Sequence, residues 1–179
     1  RVIWEYLARE DGLSAFYDAL RTLGTTPQEV VARMAVRNLL LSYRNGNLFP
    51  ESVRIESHIN GVGQVLPRQD GVEQLGVDYV LVRQPGNYQL TINQPNLHLY
   101  VVGIYNNQRA YVFDVGQQGV VDTRPYAYTY VIILNTDEHL TDKDCSLTAW
   151  SLDVADGTGL IPLNPTGETW NAANFVPVG

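Results

Sequence analysis

Cysteine occurs once in the 179 residues, as Cys145, so the chain can build neither an internal disulfide framework nor a thiolate zinc cluster. Lysine is equally scarce, because eleven of the twelve cations are arginine and only Lys143 is lysine. That bias fits either a GC-rich coding preference or escape from lysine-directed ubiquitination. His58, His98 and His139 lack the i, i+4 spacing of a helical metal pair, and no metal site is expected. Apolar runs such as 39–41 and 130–134 fall far short of the roughly 20 residues of a spanning helix, so no membrane span is expected. No basic start with an apolar middle marks a secretory signal, and the chain opens on Arg1 as a processed or trimmed chain would. The compartment stays open. No G-x-S-x-G elbow, P-loop or strand-borne G-x-G-x-x-G is present; Gly61-Val62-Gly63 and Gly157-Thr158-Gly159 read as turns, and no cofactor is expected.

A net charge of −7 makes this an acidic protein without the overall basic footprint of a phosphate-backbone binder. The acidity is local, since residues 137–168 hold seven acids against Lys143, whereas residues 52–113 hold four of each sign. Asp137, Glu138, Asp142 and Asp144 lack the alternating ligands and central glycine of an EF-hand and read as a solvated loop.

The periodicity predicts an α+β chain, residues 1–179 as one domain: a helical part at 1–47, a sheet at 52–154 and an irregular covering segment at 155–179 anchored by Trp170 and Phe175. Leu13, Phe16, Tyr17, Leu20 and Leu23 fall at helical spacing. Thr26-Pro27-Gln28-Glu29 combines a capping hydroxyl, a first-turn proline and a glutamate three residues after the cap, which starts a second helix over 27–43 with Val30, Val31, Met34 and Leu39–Leu41 as its apolar residues. Asn45-Gly46-Asn47 should stop it. Two N-terminal helices should therefore pack on a largely antiparallel or mixed sheet. Strands are expected at 53–59, where Asn60-Gly61 reads as a hairpin turn, and at 79–83, 88–92, 98–105, 109–112, 126–134 and 147–154.

Eight of the eleven tyrosines lie between Tyr79 and Tyr130, where core and cross-strand packing competes with a stacking platform for a nucleobase. The order of segments bears on that choice. Leu66-Pro67, Asp78–Val82, Tyr88–Ile92, Asn96, the run Leu99-Tyr100-Val101-Val102-Gly103-Ile104-Tyr105 and Ala110–Phe113 follow one another. This ordered set, best over residues 66–113 and looser over 13–23, resembles the ribosome-inactivating proteins, the ribosomal RNA adenine N-glycosidases. The resemblance implies a toxin that inhibits protein synthesis by hydrolysing one adenosine's glycosidic bond, with ribosomal RNA or its adenine as ligand. Two tyrosines sandwich the adenine in that family, and a helical Glu-Ala-Ala-Arg does the chemistry. Tyr100 matches the first tyrosine, and Val101 supplies the backbone that meets the base.

No Glu-x-x-Arg follows residue 113, so the sequence assigns no catalytic residue. Glu29 and Arg33, four apart and ahead of the sheet, read as an intrahelical ion pair. Tyr126, Tyr128 and Tyr130 lack the flanks of the family's second tyrosine. The expectation is a related domain that is incomplete or inactive as a lone chain, unless a partner chain supplies the missing helix. The alternative is a non-enzymatic β-rich binding or protein-interaction module whose tyrosines serve packing.

Overall fold

A computed structural model describes residues 12–41, 53–68, 71–137 and 147–177; Cys145, His139, Asn45-Gly46-Asn47 and all of the acidic loop but Asp137 lie outside them. Among the described residues, two helices and ten strands in two sheets make an α+β fold. Helix α1 spans Gly12–Thr22 and buries Ala15, Ala19 and Leu20. Leu23, expected on that face, falls beyond the last turn and is exposed. Helix α2 spans Pro27–Leu40 and starts as the sequence predicts. Thr26 Oγ1 accepts the Glu29 N–H at 3.1 Å while Glu29 Oε2 accepts the Thr26 N–H at 2.9 Å, so two orphan donors of the first turn are satisfied reciprocally. The helix ends earlier than expected, because Leu41 turns left-handed at φ 50° and donates its N–H to Arg37. The buried stripe is Pro27, Ala32, Ala35, Val36, Leu39 and Leu40; Met34 points to solvent.

The larger sheet runs β1-β3-β8-β5-β6-β10, with β1 (Ile55–Ile59), β3 (Val77–Val82), β8 (Tyr128–Asn135), β5 (Leu97–Ile104), β6 (Arg109–Gly116) and β10 (Thr169–Asn171). All neighbours are antiparallel except β1 with β3, so the sheet is mixed. The smaller, antiparallel sheet runs β2-β9-β4-β7, from β2 (Gly63–Val65), β9 (Leu152–Asp156), β4 (Asn87–Ile92) and β7 (Gln118–Asp122).

One face of the large sheet packs on the small sheet through Val80, Leu99, Val101, Val131, Ile133, Leu90 and Leu152. Its other face packs on α2 through Leu81, Val102, Ile104, Tyr130 and Ile132 against Ala35, Val36, Leu39 and Leu40. The central strands are therefore apolar on both sides, which accounts for near-continuous runs such as 130–134.

Asn60-Gly61 is not a hairpin turn. β1 pairs in parallel with β3, and β2 leaves for the other sheet to pair with β9, so Gly61 at φ 130° serves a sheet-to-sheet switch. The strand expected over 147–154 begins only at Leu152, after Thr148 makes an isolated bridge to Val72. Within the segment expected to be irregular, β10 adds an edge strand to β6, and Trp170 and Phe175 anchor it as expected.

Candidate functional site

The α2 side of the large sheet opens into a cleft of about 570 Å³. That volume lies within the roughly 300–1,000 Å³ of ligand pockets. Its floor is Ala32, Val36 and Val112; its walls are Glu29, Arg33, Tyr100, Asp114, Glu168 and Trp170. Residues 29, 32, 33 and 36 share one face of α2 by helical spacing, beside the buried stripe.

Tyr100 sits where β5 meets a bulge in β6. Leu99 pairs with Gly116 and Tyr100 with Asp114, which leaves Val115 as the extra residue. Directly opposed residues share a face, so Tyr100 and Asp114 both point toward α2, as does His98 two residues earlier. The His98 ring lies 4.6 Å from the Tyr100 ring at a 32° tilt, and its Nε2 is 2.5 Å from Asp114 Oδ1. Gln28 Nε2 donates to the Tyr100 hydroxyl oxygen at 3.3 Å. Burial, reinforced by the Asp114 and Glu29 carboxylates and opposed by Gln28, raises the pKa of this phenol and keeps it protonated.

The Glu29 carboxylate accepts the Thr25 hydroxyl at 2.9 Å besides its bond from the Thr26 N–H. Those bonds, Thr25 first, hold its pKa below the ordinary carboxylate range. Arg33 does not pair with Glu29. Its two terminal nitrogens donate to the Glu168 carboxylate at 2.8 and 2.9 Å, and its guanidinium lies 5.2 Å from the centre of the Trp170 ring. The intrahelical pair suggested by the spacing is thus replaced by a partner 135 residues away. Thr166, whose N–H donates to Val112, and the pairing of Trp170 with Ala110 hold this C-terminal segment along β6.

Of the two expected binding residues, Tyr100 lines the cleft and Val101 does not. Strand alternation turns the Val101 side chain into the core between the sheets, and antiparallel pairing with both Phe113 and Val131 engages its backbone in the ladder. Tyr126, Tyr128 and Tyr130 serve packing. Tyr126 covers Gly103 and meets Tyr105 and Phe113 at 4.8 and 5.9 Å, while Tyr128 and Tyr130 pack on Phe175. The second aromatic wall of the cleft is instead Trp170. A lone tryptophan in a Gly-, Pro- and Asn-rich tail was the available signal, but its strand partner lies 60 positions back.

Elsewhere, Asp78 on β3 accepts the Trp150 indole N–H at 2.7 Å, and burial raises its pKa against that bond. No group of three or more His, Cys, Asp and Glu side chains that could hold a metal occurs among the described residues. Among them, too, no helix is long and apolar enough to cross a membrane. Compared with family models, with curated proteins and with solved structures, the chain finds no match in any of the three.

Proposed function

We propose that the cleft between α2 and the β5–β6 face binds adenine and supports hydrolysis of its N-glycosidic bond, the activity implied by the resemblance of residues 66–113 to ribosome-inactivating proteins. The observation that carries this reading is the convergence of Tyr100, Glu29 and Arg33 on one cleft. A flat aromatic wall, a carboxylate and a guanidinium are the groups that reaction needs. His98 backs one side of the Tyr100 ring, and the base stacks on the other. As the C1′–N9 bond breaks, its electron pair stays with the adenine, and Arg33 stabilises that charge by donating hydrogen bonds. Glu29 stabilises the cationic sugar and orients the attacking water. The water gives its hydroxyl to C1′ and its proton to the departing adenine, so one water is consumed and no net proton is released.

A second reading, binding without cleavage, is favoured by the engagement of both reactive groups: Glu29 with its helix cap and Arg33 with Glu168. One experiment separates the two. Calorimetry should show adenine binding to the full chain, weakened in Tyr100→Ala by about 1–3 kcal/mol, the usual worth of one base–aromatic stack. Chromatography should show adenine released from adenosine. Glu29→Gln keeps the capping geometry but removes the charge, and should abolish release. Adenine binding without release selects binding without cleavage, and no adenine binding rejects both readings in favour of an interaction module whose tyrosines serve packing.

A further inference from the structure

We infer that the cleft takes its adenine from an uncharged purine nucleoside, in preference to a phosphorylated nucleotide or an RNA strand. This rests on the reading of the cleft as an adenine site. Among the described residues, three carboxylates, Glu29, Asp114 and Glu168, line it against one guanidinium, Arg33, which leaves a net charge of −2. That guanidinium is not left for a phosphate, since both of its terminal nitrogens donate to Glu168 in the free protein and the proposed reaction turns it to the adenine. Among the described residues, the elements around the cleft supply no second cation to its walls: Arg37 lies one turn further along α2, and Arg109 sits at the far end of β6 opposite Asn171. His98, beside the cleft, is turned onto Asp114.

A phosphate ester on such a nucleoside meets this surplus of negative charge with nothing to neutralise it. A dianion about 10 Å from a net −2 in water is disfavoured by roughly tenfold at low ionic strength. An RNA strand brings several phosphates at once, and productive binding there requires cations in proportion to the phosphates contacted. Ribose hydroxyls, in contrast, are donors that suit carboxylates. The cap of α2 uses Glu29 Oε2 and His98 meets Asp114 at Oδ1, so Glu29 Oε1 and Asp114 Oδ2 are the oxygens turned over to sugar hydroxyls.

The test is calorimetry of the full chain with adenosine, with AMP and with an adenosine-containing RNA hairpin in low-salt buffer, followed by measurement of adenine release from each. Adenosine should bind at least about tenfold more tightly than AMP, and the gap should narrow as the Debye length falls from about 10 Å at 0.1 M salt to about 3 Å at 1 M. Glu168→Gln should narrow it as well. AMP binding as tightly as adenosine, or faster adenine release from the hairpin than from adenosine, overturns the inference while leaving the adenine cleft in place. Failure of both adenine and adenosine to bind overturns the adenine reading itself.

Discussion

Glu168→Gln tests whether Arg33 is held in reserve. The ion pair it breaks is bidentate, with nitrogen–oxygen distances of 2.8 and 2.9 Å, yet its side chains are 52% and 46% exposed. Solvent screens such a pair, so its worth is about 0.5–1 kcal/mol despite the good geometry. In a chain of this size about 1 kcal/mol corresponds to a Tm change of roughly 2–4 °C, which bounds the expected loss of thermal stability. If Arg33 turns to an adenine as proposed, whatever the pair contributes must be given up. Releasing it beforehand returns at most that amount to the ligand, so adenine should bind about 2- to 5-fold more tightly to Glu168→Gln. Differential scanning fluorimetry and calorimetry on Glu168→Gln, Arg33→Gln and the double variant measure both quantities, and the gain in affinity should vanish in the double variant. Weaker adenine binding by Glu168→Gln would make Glu168 a ligand contact and refute its role as a competitor. Unchanged binding in Arg33→Gln would remove the arginine from the base altogether.

Gly103→Ala places a Cβ 2.6 Å from the Tyr126 ring, an overpacking that should cost about 1–3 kcal/mol, read as a lower Tm without loss of secondary structure by circular dichroism. Asp78 has a folded-state pKa raised above its ordinary 3.8, so the stability it leaves intact below that value is lost as pH rises through the raised one. Asp78→Asn, whose amide oxygen can still accept from Trp150, should therefore match the parent's Tm near pH 3 and exceed it at pH 7. Glu29 is shifted the other way, and its contribution is present above its ordinary 4.5 and lost as pH falls through the lowered value. Thr25→Val removes the largest cause of that shift, so NMR titration should find the Glu29 carboxyl moved up toward 4.5. Thr26→Ala should cost about 1 kcal/mol of stability through the lost cap.

The fold was legible where local chemistry decides it. Thr26, Pro27 and Glu29 announce α2 within four residues because a capping box is satisfied by its own neighbours. Strands at 79–83, 88–92 and 98–105 are found to within two residues. Assignment to a sheet was not legible, since Val80 and Leu81, adjacent in sequence, face different cores and are equally apolar. With no polar face to mark the solvent side, alternation carries no label for which layer each side chain joins. Asn60-Gly61 misled for a related reason. The dipeptide supplies a positive φ, and that conformation serves a switch between sheets as well as a hairpin.

Of the residues that line the cleft, the sequence singled out only Tyr100 as a binding residue, and their grouping was illegible. Tyr100 could be picked out because the segments around it follow an ordered pattern, but its neighbours in the cleft come from α2, from β6 and from residues 166–170 near the C-terminus. Glu29 and Arg33 illustrate the limit best. At i, i+4 the prior for an ion pair is strong, and the structure defeats it by giving each residue a better partner: two donors fixed at the helix start for Glu29 and a planar carboxylate for Arg33. The same competition has a consequence for chemistry. A carboxylate held by its own helix cap keeps its charge and position without a ligand, so its ordering is already complete when a nucleoside arrives. The arginine, tied to an exposed tail residue, must exchange partners. On the proposed adenine reading, preorganisation therefore resides on the sugar side of the cleft, and adjustment on the base side, where Glu168 sets its cost.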